Sequence, residues 1–401
     1  MFDYKIFIGL SGGLGPVTRT FPIAEEFKNA GAEVCFSVYD DNASKYLRKS
    51  GYRVFIDDDQ TSPDSQFTIE PSSVFYNLDH YFAQMGFLDP KFTKKWIMNR
   101  IKMIQTYKPH LIVTDLSPHT MIAAKYLKIP TLSLVQSCLH PDGLPFQGEV
   151  PRNLPKVTPV FNQILDQLGL TPINCMEDLC IGDKTIVPSF PEIDPINNST
   201  VEYVGPIDSN FLQYKSNHHF KGNYILVYPG RLRDSAGDTG IKIVEKVIKA
   251  SRQLTDQEFI LVTNESLTAL SLTPPKNVKV IPSYTTHMLQ NASLFIHHGG
   301  HGSCLSSIKY RVPSLILPTH SERYFNAKRI SQLGVGDYML PNIVTDEHFV
   351  KMVKYMISDT SYSVNLRDYN IKVANRKYKG ERRAFDIANT VLKRKQKRES
   401  Q

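Results

Sequence analysis

Residues 294–329 read LFIHHGGHGSCLSSIKYRVPSLILPTHSERYFNAKR, and this stretch restricts the fold more than any other part of the chain. A short apolar run (Leu294–Ile296) enters a histidine pair and a glycine-rich turn, and residues of helical pattern follow. A second apolar run (Ser314–Leu317) ends in a polar loop that carries Glu322 and Arg323. Strand, helix and strand at this spacing describe a right-handed βαβ unit of a parallel sheet. Open α/β sheets bind ligands beyond the carboxyl ends of their strands. An anion cradle beside a second polar strand end is the expectation for this segment.

The same alternation runs along the chain. In the first half, strands are expected at Tyr4–Leu10, Glu33–Val38, Tyr52–Ile56, Leu111–Thr114 and Thr131–Val135. Helices are expected at Val17–Ala30, across the aromatic- and Met-rich 74–107 region, and at Thr120–Leu127. His140–Pro159, rich in Pro and Gly, reads as a long surface segment, after which Thr185–Val187 and Val201–Val204 return to the sheet. A second series has strands at Tyr224–Tyr228, Glu258–Thr263, Val278–Ile281, Leu294–Ile296 and Ser314–Leu317. Its helices are expected at Thr239–Ser251, Thr286–Gln290, Ser303–Tyr310, Glu322–Leu333 and Thr345–Ser358. A chain of 401 residues exceeds one ordinary core. The expected organisation is α/β: a Rossmann-like domain over 1–207, a polar linker over 208–222, a second Rossmann-like domain over 223–380, and a terminal helix with a basic tail over 381–401. Two such domains facing each other across a cleft make that cleft the expected site.

Composition narrows the function. With 41% hydrophobic and 21% charged residues the chain has the make-up of a soluble globular protein. No apolar run approaches the roughly 18–20 residues that span a bilayer, and MFDYKIFIGLSGG lacks a signal peptide's basic start and apolar stretch. A cytoplasmic location is expected. The five cysteines lack metal-ligand spacing, so buried thiols and no metal site are expected. The formal charge of +8 is weighted toward Lys393–Arg398, KRKQKR. This is a solvated tail or a peripheral contact with the anionic inner face of a membrane. No nucleic-acid-binding module accompanies it.

Within 297–303, glycines permit close approach of an anion, and the following helix offers free N–H groups and its positive dipole end. His298, Gly299, Gly300, Gly302 and Ser303 are the candidate cradle, with Ser303 as N-cap or phosphate donor and His298 as an N–H donor. A sharp turn with buried histidines is the structural alternative.

The order of the flanking residues resembles the donor-binding segment of family 1 glycosyltransferases, the UDP-glycosyltransferases and bacterial macrolide-type enzymes. Their pattern is HGGxGTxxEALxxGVPxxxxP, then an acidic residue, Gln and NA. The matching residues are His298, Gly299, Gly300, Gly302, Ser303, Val312, Pro313, Pro318, Glu322, Asn326 and Ala327. The resemblance implies a GT-B fold, with a nucleotide-sugar held by the C-terminal domain as co-substrate and no cofactor. It implies an acceptor, a small molecule or a lipid-linked one, held by the N-terminal domain. Gly230 and Arg231 (or Arg233) fall at the family's glycine turn, and Tyr284 is the candidate for stacking on the base. Three positions depart from the pattern. Ser306 stands where a Glu holds the ribose, Arg311 where a Gly precedes Val-Pro, and Arg323 where a Gln contacts sugar hydroxyls. A guanidinium at 323 favours a sugar with an anionic group, or pairs with Glu322.

The family commonly carries GHxxP after its first strand, with the His as base. Here that position is Gly13, within a loop of Gly12, Gly13 and Gly15. The loop also resembles the one opening the lipid-linked sugar transferase of peptidoglycan synthesis, where it helps receive the diphosphate or acceptor. Asp115 matches the dyad's Asp and is the first candidate for the base, or else caps the next helix; His119 and His140 are reserves. Arg19 reads as a solvated helix charge or an anion contact. No DxD motif lies in a metal-binding context, Asp57–Asp59 being in a polar loop. The expected activity is inverting, metal-independent transfer from a nucleotide-sugar, most simply a UDP-sugar, to an acceptor hydroxyl. A nucleotide-sugar-binding protein without catalysis and a sugar-nucleotide epimerase on the same fold are the alternatives.

Overall fold

The structure, a computed structural model, describes residues 4–56, 62–207, 222–233, 237–376 and 378–399. Asp57–Asp59 and nearly all of the 208–222 linker lie outside these residues. The chain divides into two compact units, one of Met1–Pro71, Phe75–Phe211 and Tyr378–Gln401, the other of Ser72–Val74 and Leu212–Lys377.

The first unit runs β1 (Lys5–Leu10), α1 (Leu14–Asn29), β2 (Glu33–Val38), α2 (Asp41–Lys49), β3 (Arg53–Ile56), α3 (Leu78–Gln84), α4 (Pro90–Tyr107), β4 (Leu111–Asp115), α5 (Pro118–Leu127), β5 (Thr131–Leu134), α6 (Thr158–Gln167), β6 (Lys184–Val187) and β7 (Glu202–Tyr203). Its sheet is parallel, in the order β3-β2-β1-β4-β5-β6-β7. The order reverses between β1 and β4, so their carboxyl ends form a switch point. The central strands are buried along their length, as in β4, whose LIVTD is apolar until it ends in Thr114 and Asp115.

The second unit runs β8 (Tyr224–Tyr228), α7 (Thr239–Ser251), β9 (Phe259–Val262), β10 (Val278–Ile281), β11 (Ala292–His297), α8 (His301–Tyr310), β12 (Ser314–Ile316), α9 (Ser321–Gln332), β13 (Gly336–Tyr338), α10 (Asp346–Ser358) and α11 (Ser361–Ala374). Its parallel sheet has the order β10-β9-β8-β11-β12-β13, with the switch between β8 and β11. The period of two divides these strands between two cores. Ile225, Val227, Leu294 and Ile296 pack into one, Tyr224, Leu226 and Phe295 into the other. Ser72–Val74 joins this unit, the Ser73 carbonyl accepting the Ser321 N–H at 3.0 Å.

The last helix, α12 (Gly380–Glu399), belongs to the first unit rather than standing apart. Ala384, Phe385, Ile387, Ala388, Val391 and Leu392 are buried, and Phe385 meets Phe27 of α1 edge to face at 5.1 Å. Arg382 and Arg383 add ion pairs to Glu26 (2.9 Å) and Glu202 (2.6 Å). Other differences from expectation are local. The 286–291 stretch is a 3-10 helix, and α2, α6, β13 and α11 lie outside the expected elements. His140 and Phe146 of the expected surface segment are buried. Among the described residues no helix is long and apolar enough to cross a membrane, and all five cysteines are free thiols, four of them buried.

Candidate active site

At the switch point of the second sheet, β11 ends in His297 and the chain turns through His298, Gly299 and Gly300 into α8. Gly299 has φ +91, and a Cβ there would lie 2.9 Å from the Arg323 carbonyl oxygen. Gly230, at the end of β8, has φ +74, and its Cβ would meet the His298 ring at 2.8 Å. Glycine is therefore required at both positions by conformation and by space. Gly300 is the N-cap of α8, with no side-chain cap and no acidic residue in the first turn. The first N–H groups of α8 are thus uncapped by any side chain, at the positive end of the helix dipole. The helix begins two residues before Ser303, which corrects the N-cap expectation: Ser303 is buried in the first turn, while Gly302 is exposed.

Burial disfavours charge on His297 and His298 at this turn. Burial pushes His297 down to about 3; its Nδ1 accepts the Gly299 N–H at 3.1 Å, and Nε2 faces Ser314 Oγ at 3.1 Å. His298 lies well below the ordinary imidazole value, chiefly through burial and then through the charge of Arg323. Its Nδ1 lies 3.4 Å from the Tyr228 carbonyl, which can only accept. Its Nε2 faces Gly300, where a Cβ would lie 2.7 Å away, so the ring packs against the turn. His320, the N-cap of α9, is depressed by burial and by Arg323 as well.

Helix α9 closes the cradle. Asn326, fully buried, donates Nδ2 to the Gly299 carbonyl (3.0 Å) and to Glu322 Oε1 (2.9 Å). This gives the Asn of the NA pair a physical role, that of clamping the glycine turn. Glu322 is turned to Asn326, and Arg323 donates Nη1 to Thr319 Oγ1. Arg231 is exposed beside Tyr228, whose hydroxyl it draws down against the rise caused by burial. Arg233 is taken up by Glu265 (2.6 Å) and Asp238 (3.4 Å). Tyr284 is committed to a parallel aromatic stack, 4.6 Å from Tyr228 and 5.9 Å from Phe295. Ser306 is buried in mid-α8, and Arg311 occupies the left-handed C-cap of α8 at φ +59, which explains the usual glycine there.

At the switch point of the first sheet, Gly12 and Gly13 form the loop after β1, whereas Gly15 and Pro16 already belong to the first turn of α1. Gly13 is the N-cap, at φ 98 and ψ 167, a region essentially restricted to glycine. The family's His position is thus held in a conformation that a histidine would strain. Asp115 ends β4, 2% exposed, and Arg19 of α1 grips it with Nε to Oδ2 at 2.9 Å and Nη2 to Oδ1 at 3.1 Å. Arg19 is therefore no solvated helix charge. Its pairing depends on β1 and β4 being neighbours, which no local signal in the sequence reveals. Leu116, the next residue, has φ +44, a non-glycine outlier of the kind found where a side chain is held in place. Asp115 does not cap α5, whose N-cap is Ser117.

The reserve histidines are engaged elsewhere. His119 is 1% exposed and stacked on Trp96 at 3.7 Å, with Nε2 on Tyr39 Oη (3.0 Å) and Nδ1 on Ser117 Oγ (3.2 Å). His140 is buried, depressed by burial, and its Nδ1 accepts the Asp142 N–H at 3.0 Å. Among the described residues no three or more His, Cys, Asp or Glu side chains are grouped as metal ligands.

Comparison with known proteins agrees with this architecture. Residues 246–376 match the family model of the Erythromycin biosynthesis protein CIII-like, C-terminal domain. An uncharacterized glycosyltransferase of Methanosarcina acetivorans is 22% identical over 380 residues, 89% of this chain and 91% of that protein. The Caenorhabditis elegans protein ugt-50, named for a UDP-glucuronosyltransferase, is 25% identical over 157 residues, 38% of this chain. The chain spans 30% of that longer relative. The crystal structure of the glycosyltransferase VinC in complex with dTDP has a TM-score of 0.67 at 15% identity, covering 97% of this chain and 100% of that one. The fold is GT-B, the relatives and structural neighbours are glycosyltransferases, and the resemblance carried by residues 294–329 holds.

Proposed function

We propose that this chain is a glycosyltransferase of the macrolide and UDP-glycosyltransferase type, inverting and metal-independent, that moves a sugar from a nucleotide-sugar to a hydroxyl of a small-molecule or lipid-linked acceptor. A UDP-sugar is the simplest donor. The observation that carries this reading is the uncapped N-terminus of α8 behind the Gly299–Gly300 turn, at a switch point and within the span that matches the EryCIII-like domain. In the proposed reaction the acceptor oxygen forms its bond to the anomeric carbon as the bond from that carbon to the diphosphate oxygen breaks. The nucleoside diphosphate leaves, and the acceptor proton passes to a base. The α8 N–H groups, the Ser303 hydroxyl and the helix dipole stabilise the departing negative charge, the work a cation does in other transferases. Asp115 is the proposed base. Arg19 fixes its orientation, and each carboxylate oxygen keeps a lone pair that Arg19 does not use. No cofactor enters this scheme.

A cytoplasmic site of action, with the basic 393–398 stretch against an anionic membrane face, belongs to the same proposal. The test of activity is release of nucleoside diphosphate from a UDP-sugar on adding a panel of acceptor alcohols. Release that requires acceptor supports transfer. Binding without release points to a non-catalytic protein, and a changed sugar without acceptor to an epimerase.

A further inference from the structure

The donor cradle described above has an open helix end and two histidines, His297 and His298, on which burial disfavours charge, whereas a nucleotide-sugar brings a negative charge on each of its two phosphates. Arg323 lies in the first turn of α9, directly against the turn. A Cβ on Gly299 would be 3.1 Å from Arg323 Cβ and 2.9 Å from its carbonyl oxygen. The side chain folds toward the loop leaving β12, where Nη1 meets Thr319 Oγ1. Thr319 is 5% exposed, so this end of the guanidinium is held in place rather than swinging in solvent. The adjacent carboxylate, Glu322, accepts from Asn326, and Asn326 in turn holds the Gly299 carbonyl, so the backbone of the turn and the helix that carries Arg323 are tied together.

The charge of Arg323 also bears on its neighbours, one of them at the start of its own helix. It lowers His298 at the end of β11, His320 at the start of α9, and the Tyr228 hydroxyl at the end of β8. The backbone and Cβ of Arg323 thus stand against the Gly299 turn that leads into the N-terminus of α8.

We propose that Arg323 is a diphosphate-binding residue: its guanidinium, in place of the Gln that contacts sugar hydroxyls in the family pattern, meets the phosphates of the donor at the mouth of the Gly299–Gly300 turn. This rests on the nucleotide-sugar reading above. It replaces the expectation that Arg323 selects an anionic sugar, and it gives the cradle a fixed cation where burial disfavours charge on the histidines. Guanidinium is suited to this because it presents several coplanar donors to phosphate oxygens and stays charged at any working pH.

The test is titration calorimetry on the full chain with uridine, UDP, UDP-glucose and UDP-glucuronate, with dTDP and GDP as alternative nucleotides, for wild type, Arg323→Gln and Arg323→Lys. The expected result is that Arg323→Gln weakens the bound nucleoside diphosphate about 10- to 100-fold, the loss typical of a hydrogen bond to a charged group. Arg323→Lys restores part of it. The nucleoside alone is unaffected, and the ratio of UDP-glucose to UDP-glucuronate affinity is unchanged. Equal diphosphate affinity in wild type and Arg323→Gln, with Arg323→Lys equal too, overturns the inference while leaving the donor site standing. A loss confined to UDP-glucuronate overturns it in favour of a sugar-reading role. No nucleotide binding by folded wild type removes the nucleotide-sugar reading itself.

Discussion

Arg19 and Asp115 make the most exposed bet in this structure. Surface ion pairs contribute about 0–1 kcal/mol, but here both carboxylate oxygens accept from one guanidinium, at 2.9 and 3.1 Å, and the Asp115 side chain is 2% exposed against 15% for Arg19. Removing one partner of a buried pair costs about 3–5 kcal/mol because the other is left charged without compensation. The two ends of this pair differ. Arg19→Ala strands a largely buried carboxylate without its counter-charge, and a loss of about 3 kcal/mol is expected. Asp115→Asn leaves a guanidinium that is already partly wet and can turn outward, so about 1–2 kcal/mol is expected. Because the residues touch, the double variant should fall short of the sum by about 1–2 kcal/mol. Urea unfolding followed by circular dichroism near neutral pH reads these values as midpoint shifts at constant slope. A coupling below about 0.5 kcal/mol, or Asp115→Asn costing more than Arg19→Ala, would refute the reasoning. The same variants address chemistry: if Asp115 is the base, Asp115→Asn lowers kcat about 100-fold or more.

Gly13→His places a histidine at φ 98 and ψ 167, so a loss of about 1–3 kcal/mol and no gain in turnover are expected. An unchanged Tm with faster transfer would show that the loop rearranges freely. Arg311→Gly relieves a left-handed C-cap at φ +59 and should raise stability by about 0.5–1 kcal/mol, read in the same urea titration; a loss would mean the arginine side chain makes a larger contribution than its backbone costs. The folded-state values of His297, His298 and His320 lie below the unfolded histidine value near 6.5, so the stability they contribute is complete above that pH. It should be lost as pH falls from about 6.5 toward about 4, by up to about 1.4 kcal/mol per pH unit per histidine. Stability that stays flat from pH 7 to 5 would mean that these rings charge in place.

Strands and glycine turns were legible because their signals are local: 294–296 is an apolar run that stops at glycines, and Gly299 and Gly230 stand where backbone must pass close to a ring or a carbonyl. What escaped depends on tertiary contact. Arg19 finds Asp115 only because β1 and β4 are adjacent across the switch, and Asn326 finds Gly299 only when α9 folds back on the turn. The start of α1 was placed three residues late because Leu14-Gly15-Pro16 reads as loop, although Pro is well suited to a first helical turn. The role of Tyr284 as a member of an aromatic stack likewise needs its neighbours, and β13, three residues long, has too little sequence for a periodic signal.

The return of α12 to the first unit has a consequence for how the protein is made. The first sheet is complete by Tyr203, yet the helix covering part of its flank is synthesised only after the whole of the second unit's 212–377 stretch. Burial of Phe385, Ile387, Val391 and Leu392 is worth roughly 6–12 kcal/mol as an upper bound. Until it is in place, Phe27 and one face of β5 and β6 stay partly uncovered. The intervening unit, by contrast, emerges as one nearly continuous stretch and can finish folding while the first still waits. A released chain truncated before residue 380 should therefore hold a protease-resistant second unit beside a protease-sensitive first unit, the reverse of the order in which they were synthesised.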